Sequence, residues 1–315
     1  MIRWIIPILF YPLFSFGQEV FVFEHRQMGT EFKIHLVGKQ EEVCRSLAQQ
    51  AFNKLDSLNR VFSDYDPNSE LSSLSQTAGG DTLVLVSPEL GYIISQAQLY
   101  SQISGGAFDI SIGPLSRLWR KAFRRQTFPD SSDLEAAREV VDYRLIEMSF
   151  LKPGIRLQKK GMKLDLGGIA KGYSVDLLAD LLLREGCRNF LIDGGGDIYA
   201  NGNHPQKDSL GWEILLPNGQ RKYLKNRAVA TSGKTYRFLE WQGKRYSHII
   251  DPRTGLGVSH HWTISVFAST CMQADVFASI FSVMGKLKAE SFLASNHGPL
   301  LETFFTPQQN QERHE

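Results

Sequence analysis

Only three cysteines, Cys44, Cys187 and Cys271, occur in 315 residues. An odd, widely spaced set makes neither a disulfide framework nor a zinc motif. Small buried hydrophobes are the ordinary role for such residues, with one bridge open to them in an oxidising compartment. Charge of one sign is lacking too. The 35 Lys and Arg against 33 Asp and Glu leave a formal net charge of +2, which excludes the electrostatic footprint of a nucleic-acid binder. Acid and base are mixed along the chain, without a charged tail. There is no internal repeat, no low-complexity tract and no linker. What is there suits a globular protein: 42% hydrophobic and 22% charged residues, enough for one large domain or two closely packed lobes.

The N-terminus departs from this even texture. Arg3 precedes an apolar run from Trp4 to about Phe14, followed by Ser15-Phe16-Gly17. A charged start, a short apolar segment and small residues before a cut form a secretory signal. Cleavage after Gly17 is expected, giving a signal peptide over 1–17 and one mature domain over 18–315. The run falls short of the ~20 residues of a membrane span, and no cysteine stands near the cut to take a lipid. The chain is therefore expected outside the cytoplasm, in a periplasm or on the outer face of the cytoplasmic membrane.

Periodicity places the elements. Residues 20–37 predict two strands joined near Gly29, and Val43, Leu47, Ala51, Leu55, Leu58 and Phe62 recur at helical spacing. Residues 64–75 are turn-rich. Ser87-Pro88-Glu89 opens a helix expected to end at Gly105-Gly106. Residues 190–202 predict strand, glycine turn and strand, and Asn218-Gly219 marks a hairpin. Residues 263–268 predict a strand and Cys271 to Met284 a helix. Strands and helices alternate irregularly with hairpins among them, which argues for α+β.

Several stretches carry more polarity than packing requires. In 164–176, LDLGGIAKGYSVD, a glycine turn and a lysine suggest phosphate handling, but Lys171 precedes Gly172 and Tyr173 follows. A Walker loop needs Gly-Lys then Ser or Thr, so that machine is excluded. A bare carbonyl beside the two glycines can hold a hard cation; a helix entry capped by Asp165 is the plainer reading. Asp275 and Ser279 lie four apart on the helix over 271–284, hence on one face. Among apolar neighbours, the carboxylate must be paired or bind metal. An oxygen shell for Mg²⁺ and a single salt bridge to Lys or Arg stay open alike. His248, before an apolar pair and the Asp251-Pro252-Arg253-Thr254-Gly255 turn, is either a general base or structural. Asp251 can simply cap that turn.

One order unites these stretches: Met28-Gly29-Thr30, Gly106-Ala107-Phe108-Asp109, Asp165 to Gly172, Asp193-Gly194-Gly195-Gly196-Asp197, Thr231-Ser232-Gly233, His248 to Gly255, and Ala274-Asp275. In this the chain resembles the ApbE family, the FAD:protein FMN transferases, from Met28 to about Gly285. The resemblance implies an α+β fold related to the T-fold, with two packed lobes and FAD between them. It implies Mg²⁺ as cofactor and FAD as substrate, with FMN moved to a Ser or Thr hydroxyl of another protein and AMP released. Met28, Tyr65, Ala107, Phe108 and Asp109 match positions lining the flavin and adenine pockets, and Asp165, Lys171 and Ile249 match further FAD contacts. Gly168 matches a metal ligand through its carbonyl. Asp275 and Ser279 match side-chain ligands, with Ala278 between them where some members carry an acid. The family usually has Thr where Ser279 stands, so the methyl that would stiffen the rotamer is missing.

Within that resemblance His248 or Asp275 can take the acceptor proton, and His248 is the better base because a metal-bound carboxylate is a poor one. The implied partner is an acceptor with a Ser/Thr-Gly-Ala-Thr-like segment, of the redox-pump subunit or FMN-binding domain type. The chain carries no such segment itself. Two rivals remain: a Mg²⁺-dependent FAD pyrophosphatase giving FMN and AMP, and a non-catalytic exported flavin-binding protein. Retention of Asp275, the Ser279 hydroxyl and His248 argues against the latter.

Overall fold

A computed structural model describes residues 18–149, 154–206, 210–233, 238–259, 262–295 and 301–307. The expected signal peptide over 1–17 lies outside the described residues. The chain opens with a hairpin, β1 (Glu19–Gln27) and β2 (Thr30–Gly38), followed by α1 (Glu41–Phe62). Met28 and Gly29 turn that hairpin with φ of 50° and 74°, the positive values that a two-residue loop needs to match strand twist. Next come α2 (Glu70–Gln76), α3 (Pro88–Ile103), α4 (Gly113–Arg125) and α5 (Ser131–Arg138), then the short pair β3 (Ile146–Ser149) and β4 (Gly154–Leu157). A long helix α6 (Ala170–Arg184) leads into β5 (Phe190–Asp193) and β6 (Asp197–Asn201). Three small hairpins and a central strand follow: β7 (Trp212–Leu215) with β8 (Arg221–Leu224), β9 (Arg227–Ser232), β10 (Phe238–Trp241) with β11 (Lys244–Ser247), and β12 (Ile250–Asp251) with β13 (Leu256–Gly257). The described chain ends with β14 (Trp262–Ala268), α7 (Cys271–Met284), α8 (Lys286–Ala294) and β15 (Glu302–Pro307).

Seven of these strands form one sheet in the order β1-β2-β5-β6-β9-β14-β15, antiparallel throughout. Alternation divides its two faces. Phe32, Ile34, Leu36, Phe190, Ile192, Ala230, Ile264 and Val266 join the main core with α1, α6 and α7. Leu191, Ala200, Val229 and Phe267 face the other way, into a smaller cluster closed by Trp212 and Leu224 of the β7–β8 hairpin. A third cluster joins Leu115, Trp119 and Ala122 of α4 to Leu134, Leu239 and Ile250. The architecture is α+β, as expected.

Two expectations are amended. The turn-rich stretch over 64–75 ends in a helix, because Ser69 accepts from the Ser72 N–H and starts α2 at Glu70. Asp165 does not cap a helix: α6 begins at Ala170 behind Ile169, with no side-chain cap. All three thiols are free, and Cys44 and Cys271 are buried. Among the described residues no helix is long and apolar enough to cross a membrane.

Candidate active site

The seam between α6 and α7 is where the polar residues converge. The helices meet at Gly172, where a Cβ would lie 2.5 Å from the Cys271 carbonyl oxygen and 2.8 Å from the Asp275 Cβ. The bare backbone lets the Gly172 N–H donate to the Asp275 Oδ2 at 3.2 Å. One residue earlier, the Lys171 ammonium pairs with Asp197 at the start of β6 and stands 3.9 Å from the Asp275 Oδ2. Both carboxylates are buried, with side chains 5% and 9% exposed. Burial pushes Asp197 up to about 7, with the Asp275 charge adding to it and Lys171 opposing. Asp275 is likewise raised by burial, against the pull of Lys171 and the Gly172 N–H. Burial alone would lower Lys171, yet the two carboxylates raise it. When both buried acids are ionised they share one ammonium, and one negative charge of the trio is then without a partner.

Oxygen donors border the trio. A Cβ at Gly168 would lie 3.0 Å from the Ser279 Oγ and 3.1 Å from the Phe108 ring, so any side chain there would crowd the Ser279 hydroxyl. Ser101, Ser174 and Ser282 each bond back to the carbonyl four residues earlier. Ser279 makes no such bond, and its hydroxyl is left available beside Gly168. Among the described residues no group of three His, Cys, Asp or Glu side chains can hold a metal. The seam instead brings a carboxylate, Asp275, and a hydroxyl, Ser279, beside the backbone of Gly168 and Gly172, and both are hard oxygen donors. Ala278 has no donor in its buried side chain, and its carbonyl accepts from Ser282 at 2.7 Å.

A second node adjoins the first through the 165–172 segment. Arg120 of α4 donates to Asp165 at 2.8 Å and pairs with Asp64 at 2.5 Å. Its guanidinium carbon stands 4.2 Å over the ring of Tyr65, and Tyr65 is 75% exposed. The Asp165 Oδ1 accepts the Gly167 N–H at 2.8 Å, which shapes the turn that presents Gly168. Asp64 is raised by burial and by the neighbouring Asp165, with Arg120 opposing.

The other nominated positions fall around these nodes. Met28, at the β1–β2 turn, has its Sδ 3.6 Å from the Ser174 Oγ of α6. Ala107 and Phe108 are buried. Asp109 is buried too, and its carboxylate is committed to the turn: Oδ1 accepts from Ser111 N–H and hydroxyl, Oδ2 from the Tyr143 N–H. His248 and Ile249 sit on the turn after β11, where His248 is exposed, which rules out a core histidine. The next turn, between β12 and β13, docks on α4 and α5 through Trp119 donating to the Gly255 carbonyl and Arg138 to the Arg253 carbonyl. Asp251 caps it, accepting from the Arg253 N–H.

Arg120, Asp64 and the Lys171–Asp197 pairing were not foreseen. The i, i+4, i+7 spacing of Leu115, Trp119 and Ala122 marks the apolar face of α4. Nothing in that spacing separates Arg120 from Arg117 or Arg124 on the polar one.

Known proteins share this fold. The ApbE family pattern matches residues 28–304. A protein of Treponema pallidum named FAD:protein FMN transferase is 31% identical over 84% of this chain and 79% of its own length. One of the same name from Vibrio cholerae is 29% identical over 87% and 84%. The apo crystal structure of the Pseudomonas stutzeri flavinyl transferase ApbE superposes with a TM-score of 0.80, at 26% identity, over 94% of each chain. With the pattern spanning nearly all the described residues and the fold shared throughout, this chain belongs to the ApbE family.

Proposed function

We propose that the chain transfers FMN from FAD to a serine or threonine hydroxyl of an acceptor flavoprotein and releases AMP. The observation that carries this reading is the convergence of Gly168, Asp275 and Ser279 beside the Lys171 ammonium, in a chain whose relatives are named FAD:protein FMN transferases. Gly168 through its carbonyl, Asp275 and Ser279 would hold a Mg²⁺ ion, which when bound neutralises the diphosphate and makes AMP a better leaving group. The negative charge left over when both acids of the Lys171–Asp197–Asp275 trio are ionised suits that cation. Lys171 adds a positive charge of its own beside the diphosphate. Tyr65, backed by Arg120, presents an exposed ring face on which a flat heterocycle of FAD can stack.

The acceptor oxygen attacks the FMN phosphorus, the P–O bond to AMP breaks, and the hydroxyl proton must leave. His248 is the base we assign: it is exposed and within reach of an incoming protein, whereas Asp275 is buried and tied to Lys171. Incubating the chain with FAD, Mg²⁺ and an acceptor domain bearing a Ser/Thr-Gly-Ala-Thr segment tests the reading. Flavin fluorescence should stay with the acceptor on a denaturing gel. An acceptor left dark while FAD disappears would mean a pyrophosphatase, and an untouched FAD pool would mean a binding protein.

We further infer that the chain works outside the cytoplasm, on the strength of Arg3, the apolar run and Ser15-x-Gly17. N-terminal mass analysis should find the mature chain starting at Gln18. An uncut chain in the cytoplasm would overturn this.

A further inference from the structure

A separate cleft of about 340 Å³ opens where α3, α6, β6 and the start of α7 meet, a volume that suits a small ligand. Three tyrosines from three elements line it: Tyr92, Tyr173 and Tyr199. The first two rings lie 5.3 Å apart at 34°. Asp176 and Asp180, one helical turn apart on α6, supply its charge, and no lysine or arginine contributes to the wall. Tyr173 is only 9% exposed, so its ring is held firmly as one wall of the cleft beside the exposed Tyr92.

The polar groups converge on one space. Burial pushes Tyr173 up to about 12, helped by Tyr92, Glu89, Asp176 and Asp180, and Tyr199 is raised by burial and the same two aspartates. An anion would be repelled by this wall. A hard metal ion finds too few ligands, because the Asp176 oxygens already accept from the Cys271 and Met272 N–H groups at 2.7 and 2.8 Å, and aromatic faces do not replace water around such an ion. A diffuse organic cation meets both features at once, ring quadrupoles and carboxylates.

We propose that the cleft among Tyr92, Tyr173 and Tyr199 binds an alkylammonium group, with Asp176 and Asp180 as its counter-charges. The group comes either from a free small amine or from a lysine side chain of a partner protein. Because Asp176 caps the first turn of α7, occupancy braces the helix that carries Asp275 and Ser279. Binding itself does not depend on the flavin-transfer reading.

Calorimetric titration of the full mature chain without FAD, at about pH 8 and matched ionic strength, tests the proposal. The probes are tetramethylammonium chloride for the free amine, N-acetyl-lysine methylamide for the side chain, and 3,3-dimethylbutanol as a neutral isostere. At least one cation should bind saturably in the millimolar range and the alcohol should not; which cation binds tells the source. Tyr92→Ala and Asp180→Asn, both at exposed positions, should each weaken binding about tenfold. Absence of saturable binding by either cation, equal binding of the alcohol, or unchanged affinity in both variants would overturn it.

Discussion

Asp275 is the residue on which the site turns, because burial makes its charge expensive to leave alone and Lys171 answers only part of it. Asp275→Asn should keep the Gly172 contact and the fold while lowering flavin transfer about 10²–10³-fold, the usual cost of removing one electrostatic stabiliser. Rates with Mg²⁺ present, alongside the thermal midpoint, check this; full activity would remove Asp275 from the site. Ser279→Thr should be tolerated, since the hydroxyl is kept and its rotamer stiffened. Arg120 acts at the second node. Arg120→Met strands Asp64 and Asp165 against each other and should cost about 3 kcal/mol in urea unfolding. It should also raise the KM for FAD about tenfold, with a smaller change in kcat, by releasing the Tyr65 ring. At this scale Asp165, Gly168, Lys171, Asp275 and Ser279 were named through the family resemblance, since the glycine turn alone favoured a plain helix entry and the carboxylate on an apolar helix face left a salt bridge equally open. Asp197 and Arg120 take their meaning from partners 26 and 45 residues away, and no local pattern announces that.

The elements were legible where periodicity is strong. The spacing from Val43 to Phe62 and the apolar stretch from Cys271 to Met284 foretold α1 and α7, and Asn218-Gly219 foretold the β7–β8 turn. The start of α6 was misjudged because Asp165 offers a capping side chain that Arg120 and the Gly167 N–H claim instead. Contact between α6 and α7 rests on Gly172. Gly172→Ala should destabilise by about 1–3 kcal/mol through overpacking, and flavin transfer should fall further than stability alone explains, since α7 is pushed away from Lys171. Retained stability and activity would show that the seam has slack. The start of α7 carries a pH dependence. Asp176 is pushed from an ordinary 3.8 up to about 7 by burial, despite its two N–H donors. The folded state therefore holds a proton that the unfolded chain releases, and this contribution is present below about pH 4 and lost as pH rises to about 7. The thermal midpoint of Asp176→Asn minus that of the unmutated chain should rise through that window. A flat difference would mean that Asp176 is ionised throughout.

At the scale of the whole molecule, the antiparallel sheet supports helices on one face and a small hairpin on the other. The α4–α5 region and its hairpins form a cluster of their own beside this core. The α+β class followed from irregular alternation of elements, but the strand order β1-β2-β5-β6-β9-β14-β15 did not. Pairings such as β6 with β9 and β9 with β14 are set by which apolar faces meet in three dimensions. The near-neutral charge likewise fits a protein that engages FAD and another polypeptide rather than nucleic acid. The central claim is group transfer, and stoichiometry tests it most directly. AMP released and FMN bound to the acceptor, counted together by intact mass and chromatography in one reaction with FAD and Mg²⁺, should rise one for one. AMP accumulating with free FMN while the acceptor mass stays unchanged would contradict it.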